Sequence, residues 1–154
     1  MIVEVTAPLG ALLNGVAAGI MLSTVVGIVP MMVSQPYESY VRTVQFLWPR
    51  YDPMMPILNG SAFVLSGLSA AVTTSAAARA VLIGSTVLLG VVLAISISKN
   101  VPVNKFVSSL DPERPPADWD RVDPRVRWSR WNEIRTSINA LAFTANVAAT
   151  ALLS

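Results

Sequence analysis

The chain contains neither cysteine nor histidine. Without thiols, disulfides, thiolate zinc, iron–sulfur clusters, thioether-attached haem and cysteine nucleophiles are excluded. Without imidazole, the usual ligand of copper and non-haem iron and the usual base of a serine triad are missing too, so no metal site is expected. Charge is also scarce: Asp, Glu, Lys and Arg make up 13% of the residues, against roughly 25% in soluble domains. Any chemistry must come from Arg, Lys, Asn, Tyr, Glu and backbone dipoles.

What fills the chain instead is apolar. Four stretches, roughly 9–33, 54–74, 80–97 and 134–153, carry no Asp or Glu. A mostly apolar run of about 18 or more residues crosses a hydrocarbon layer of about 30 Å as a helix, because lipid offers no partner to an unpaired backbone N–H or C=O. The expected fold is all-α: residues 1–154 as one integral membrane four-helix bundle with four spans, and interfacial helices in the two long loops. The first stretch is too long for a signal peptide, follows no basic run and lacks a persuasive cleavage site, so it is read as a span.

Charge is distributed unevenly between the two sides. Arg42, Arg50, Lys99, Lys105, Arg114, Arg121, Arg125, Arg127, Arg130 and Arg135 fall on the side of the loops at 34–53 and 98–133, leaving Arg79 alone on the other. By the positive-inside rule the long loops are cytoplasmic and both termini face out, with a bacterial plasma membrane as the expected location. Asp111, Glu113, Asp118, Asp120 and Asp123 share the second loop and hold the net charge to +2. Nucleic acid would want a basic face without that compensation, so no nucleic-acid partner is expected and the lipid bilayer is.

Each loop has internal order. Gln35-Pro36 ends the first helix, and Tyr37, Tyr40, Val41, Val44, Phe46, Leu47 and Trp48 give the next segment an apolar, aromatic side suited to the headgroup level. Pro49, Pro53 and Pro56 are expected to break that segment and start the second span. In the second loop, Leu110-Asp111-Pro112-Glu113-Arg114-Pro115-Pro116 predicts a turn region. Asp123-Pro124 reads as a helix start that runs through Trp128 and Trp131 into the fourth span.

Along the first span Gly15, Gly19, Ser23 and Gly27 recur every four residues. Such a stripe lets a helix approach closely, within the bundle or in a homo-oligomer. On the fourth span Asn132, Asn139 and Asn146 recur every seven residues, with Arg135 between the first two on the same face. Amides and a guanidinium facing lipid are costly, so this face should point into the bundle or a water-filled cavity. Ser96, Lys99, Asn100 and Asn104 end the third span on the same side, and Asn14 and Asn59 could add polar groups from the other two. These residues could equally do no more than join helices by hydrogen bonds.

At these residues the chain resembles the anthrone oxygenase-like family of small four-span membrane proteins. The resemblance lies in Asn100-Val101-Pro102-Val103-Asn104, in Leu110-Asp111-Pro112, and in the run from Arg127 to Thr136, where Trp128, Asn132 and Arg135 match a Trp-x-x-x-Asn-x-x-Arg pattern. Pro30 or Pro36 and the Tyr40/Arg42 region also fit the family layout. The resemblance implies a cofactor-independent monooxygenase that uses dioxygen to convert a planar aromatic polyketide, an anthrone or related phenolic, to a quinone. It also implies catalytic roles for Arg135, Asn100, Asn104 and Asn132 as donors to substrate oxygens. Trp128, Trp131, Tyr40, Arg42 and Asn139 would then bind substrate. Glu38, Glu133, Tyr37 and Tyr40 are the candidate bases, with Glu38 preferred because it lies in the facing loop.

Two other functions fit the same residues. In one, the chain is a non-enzymatic membrane subunit whose Asn and Arg residues lock the bundle while its loops bind a protein or lipid headgroups. In the other it is a proton-coupled exporter, which normally needs a membrane-embedded carboxylate. The only acid near an outer segment is Glu4, at its edge.

Overall fold

The computed structural model describes residues 2–153. Every regular element among them is a helix: α1 (Ile2–Ser34), α2 (Tyr37–Val72), α3 (Ala76–Ser108), the short α4 (Trp119–Val122) and α5 (Arg125–Ala151). The first three are long and apolar enough to cross a membrane. The four long helices pack as a ring: α1 lies against α2 and α5, and α3 lies against the same two, so α2 sits diagonally across from α5.

Proline does not break these helices as expected. α2 runs unbroken through Pro49, Pro53 and Pro56, so the aromatic segment from Tyr37 to Trp48 is the first third of that helix. α1 and α3 accommodate proline differently. A π turn, Thr24–Ile28, precedes Pro30, and another, Ser96–Asn100, precedes Pro102. A proline ring crowds the carbonyl four residues earlier, here Val26 and Ser98, and offers it no N–H. Widening the turn by one residue relieves the crowding, and the Val29 and Val101 N–H groups bond to the carbonyls of Thr24 and Ser96 instead. α1 ends where Gln35 and Pro36 turn extended, at ψ 145° and 159°.

The ends of α1 and α3 and the starts of α2 and α5 meet in a cap. Its core is Tyr40, Val41, Val44, Val103, Val107, Trp119 and Trp128. The Tyr37 ring meets Trp119 edge-on at 4.6 Å, and its hydroxyl donates to the Asp111 carbonyl at 2.8 Å. Gln45 donates to the carbonyls of Ser108 and Leu110, which holds the proline-rich loop down. Asp123 accepts from the Arg125 backbone N–H at the start of α5. The same carboxylate grips the Arg125 guanidinium at 2.5 Å, a hydrogen bond that raises its pKa above the ordinary arginine value. Arg125 in turn donates to the Gln35 carbonyl at 2.6 Å and ties α5 to the end of α1.

Deeper in the ring, polar side chains form one chain of hydrogen bonds. Ser66 donates to Asn146, Asn146 to Asn14, Asn14 to Asn139, Asn139 to Asn59, and Asn59 to the Met55 carbonyl. All five side chains are buried, and the chain joins α1, α2 and α5. Ser85 adds α3 by donating to the Ala142 carbonyl at 3.1 Å. Of the glycine stripe, only Gly15 packs within the chain, where an added Cβ would meet the Phe143 ring at 2.7 Å. Gly19 and Gly27 face open space.

Replacing Asn139 by Leu leaves the amides of Asn14 and Asn59 without their partners. The expected loss is about 1 to 3 kcal/mol, read as a shifted unfolding midpoint in micelles. A loss below about 0.5 kcal/mol would mean that neighbouring groups take over the bonds.

Candidate functional site

Where the two π turns and the three α2 prolines come to one level, the helices part around a cavity of about 170 Å³. At about 15 Å³ of such space per water, it has room for on the order of ten water molecules, or an organic ligand of similar bulk. The helical rise sets its levels. Asn59 and Asn139, bonded at 2.7 Å, mark the floor with Met21. At 1.5 Å per residue, Arg135 lies about 6 Å above Asn139, Asp52 about 10 Å above Asn59, and both Trp48 and Trp128 about 16 Å above it. The two indoles therefore form the ceiling, and Arg135 and Asp52 occupy the walls contributed by α5 and α2. Most of the remaining lining is apolar, including Ile20, Ile28, Met32, Val44, Leu93 and Ile97.

Arg135 is held from behind. Its Nε and one Nη donate to Asn132 Oδ1 at 3.0 and 2.6 Å, and the other Nη donates to Ser96 Oγ at 3.0 Å. Ser96 reaches the site from the first position of the second π turn. Three of the five guanidinium N–H bonds are used, and no carboxylate pairs with Arg135 among the described residues. A cation on an apolar wall without a counter-charge favours an anionic oxygen in front of it.

Two further groups share this incompleteness. The Asn100 amide is buried with both its N and its O unpartnered, and the Trp128 indole N–H is buried without an acceptor. Both residues line the cavity. Buried polar atoms normally find partners, so these are positions where a bound molecule would supply the missing bonds. The Asn132 Nδ2 is also unpartnered, behind Arg135.

The structure gathers Arg135, Asn100, Asn104 and Trp128 around one cavity, with Asn132 orienting Arg135. The other sequence-predicted residues lie elsewhere. Glu38 is exposed and pairs with Arg42, which also reaches Glu113. Tyr40 is buried in the cap, with the Arg125 guanidinium 5.2 Å from its ring. Trp131 carries the Lys99 ammonium 5.4 Å above its ring. Asn139 is bonded into the amide chain at the floor and does not line the cavity.

Sequence reasoning named Asn59 as a possible polar addition and missed Asp52, Trp48 and Tyr51 as parts of the site. Their signal was present: Trp48, Asp52, Met55 and Asn59 succeed one another at helical spacing and form one face. It was hidden by the expectation that the prolines among them interrupt the helix.

The family model described as anthrone oxygenase matches residues 45–145. The chain belongs to the anthrone oxygenase family. Neither the curated proteins nor the solved structures give a match. The matched span includes every polar residue of the cavity wall except Thr24, while the apolar wall contributed by α1 lies before it. Membership points to oxygenase-type, oxidoreductive chemistry.

For this anthrone oxygenase family member, Arg135→Met should preserve folding while weakening a planar phenolate ligand. Charged hydrogen bonds of about 1.5 to 3 kcal/mol correspond to a loss of roughly 10- to 100-fold in affinity, measured by quenching of tryptophan fluorescence. Equal affinity in both proteins would remove Arg135 from the binding site.

Proposed function

We propose that the protein is a membrane-embedded, cofactor-independent monooxygenase that oxidises a planar aromatic polyketide of the anthrone or phenolic type to a quinone. The observation that carries this reading is Arg135, a cation on the wall of a largely apolar cavity that pairs with no carboxylate among the described residues.

An anthrone methylene is acidic because the carbanion formed there delocalises through the aromatic rings onto the carbonyl oxygen. The protein's main task is then to favour that anion in a site of low polarity. Arg135, with the Asn100 and Asn104 amides, supplies donors for the oxygen, and the Trp128 indole N–H can serve a second substrate oxygen. Dioxygen adds at the deprotonated carbon, giving a peroxide that takes up a proton. Loss of the second hydrogen from the same carbon and cleavage of the O–O bond leave a carbonyl and one water. The sum is one dioxygen consumed per quinone and water formed, with no external reductant.

The fold suits such a substrate. We read the four long helices as a membrane-embedded four-helix bundle with the long loops cytoplasmic. Counted from the far end of each helix, Asp52, Ser96 and Arg135 lie about 24 to 30 Å deep at 1.5 Å per residue, close to one hydrocarbon thickness of about 30 Å. The cavity then opens at the boundary between acyl chains and headgroups. Both an apolar polycycle and dioxygen accumulate on the lipid side of that boundary.

Purified protein in micelles, given an anthrone and air without added metal or reductant, should form quinone and consume one dioxygen per turnover. Arg135→Met should lower kcat/KM by about 100-fold in a protein that inserts and unfolds normally. No turnover by the wild type would count against the oxidation. Loss of membrane assembly alone in the variant would favour the non-enzymatic subunit.

A further inference from the structure

The oxidation proposed above needs a group that takes a proton from carbon, and among the described residues the cavity wall carries a single acid, Asp52. We infer that Asp52 is that base, an inference that rests on the proposed oxidation. Glu38, preferred from sequence, is exposed and engaged by Arg42. The Asp118 and Asp123 carboxylates are likewise held by Arg121 and Arg125. The Asp52 carboxylate makes no side-chain hydrogen bond or ion pair with any described residue, so no neighbouring cation occupies it.

The position of Asp52 relative to Arg135 matches the electronic demand of the substrate. In an anthrone the carbonyl and the methylene stand at opposite ends of the central ring. A cation that stabilises the oxygen and a base that attacks the carbon must therefore occupy different walls. Arg135 is on α5 and Asp52 on the diagonal helix α2, and the two do not pair with each other. An ion pair between them would have neutralised both.

The steps balance at one carboxylate. Asp52 takes the first methylene proton, and the electron pair of that C–H bond delocalises onto the oxygen facing Arg135. Once dioxygen has added, the protonated Asp52 returns the proton to the peroxide anion. It then removes the second hydrogen as the O–O bond breaks, the carbonyl forms and hydroxide leaves, taking the proton from Asp52 as water. The first step needs no oxygen and can be observed alone.

The test is exchange of the anthrone methylene hydrogens with deuterated solvent under anaerobic conditions, above the uncatalysed background, measured by mass spectrometry. Wild-type protein should accelerate exchange, Asp52→Asn should lose about 100-fold of that acceleration, and Asp52→Glu should keep part of it. Binding of the quinone product, read by tryptophan quenching, reports whether Asp52→Asn still has an intact cavity. If Asp52→Asn binds quinone and exchanges at the wild-type rate, or if Glu38→Gln loses exchange while Asp52→Asn keeps it, the assignment is overturned. A wild type that binds quinone but neither exchanges nor consumes oxygen removes the oxidation itself and Asp52's role with it. Loss of oxygen consumption in Asp52→Asn with exchange intact would leave the oxidation standing and refute the assignment.

Discussion

The chain of side-chain hydrogen bonds from Ser66 through Asn146, Asn14 and Asn139 to Asn59 fixes where the helices touch. Between apolar helices in lipid, contact gains little over contact with acyl chains. Amides are different, because each unpaired polar atom there is costly. Those of α1, α2 and α5 therefore draw the ring together along one half of its length. Above Asn59 the chain stops, and the Asn100 amide, the Asn132 Nδ2 and the Trp128 indole N–H are left unpartnered among the described residues. The closed half and the open half arise from a single rule, applied fully in one and incompletely in the other.

The backbone changes character at the same level. α1 and α3 each insert a π turn and α2 carries three prolines, whereas the closed half below Asn59 is regular α-helix. A regular helix would keep Ser96 and Asn100 on the stripe set by Leu82 and Leu89. Ser96, at the start of the π turn, keeps that stripe and meets Arg135, while the extra residue rotates the part of α3 beyond it and Val103 and Val107 join the cap core. The irregular backbone supplies both the space of the cavity and the rotation of its polar wall.

Much of this was legible from residue types. The apolar stretches, the Asp123-Pro124 start of α5, the stop at Gln35-Pro36 and the convergence of Asn100, Asn104, Trp128 and Arg135 are local patterns or share one loop. The reach of α2 was not legible. Proline propensity argues for a break at Pro49, and packing of Val41 and Val44 against Val103 and Val107 outweighs it. Losing the continuity of α2 also hid Asp52 and Trp48 as parts of a face. The division of the asparagines between structure and site was hidden for another reason: a seven-residue repeat places Asn132, Asn139 and Asn146 on one face without saying which of them meets a partner.

The depth of the cavity along the helices also bears on how concentration is to be counted. A site opening at the acyl boundary draws its ligand from the two-dimensional phase around it, where bulk molarity has little meaning. Added detergent or lipid dilutes such a ligand even when the volume is unchanged. Its half-saturation is then a mole fraction in the membrane, and rates compared at equal millimolar substrate but unequal lipid describe different degrees of occupancy.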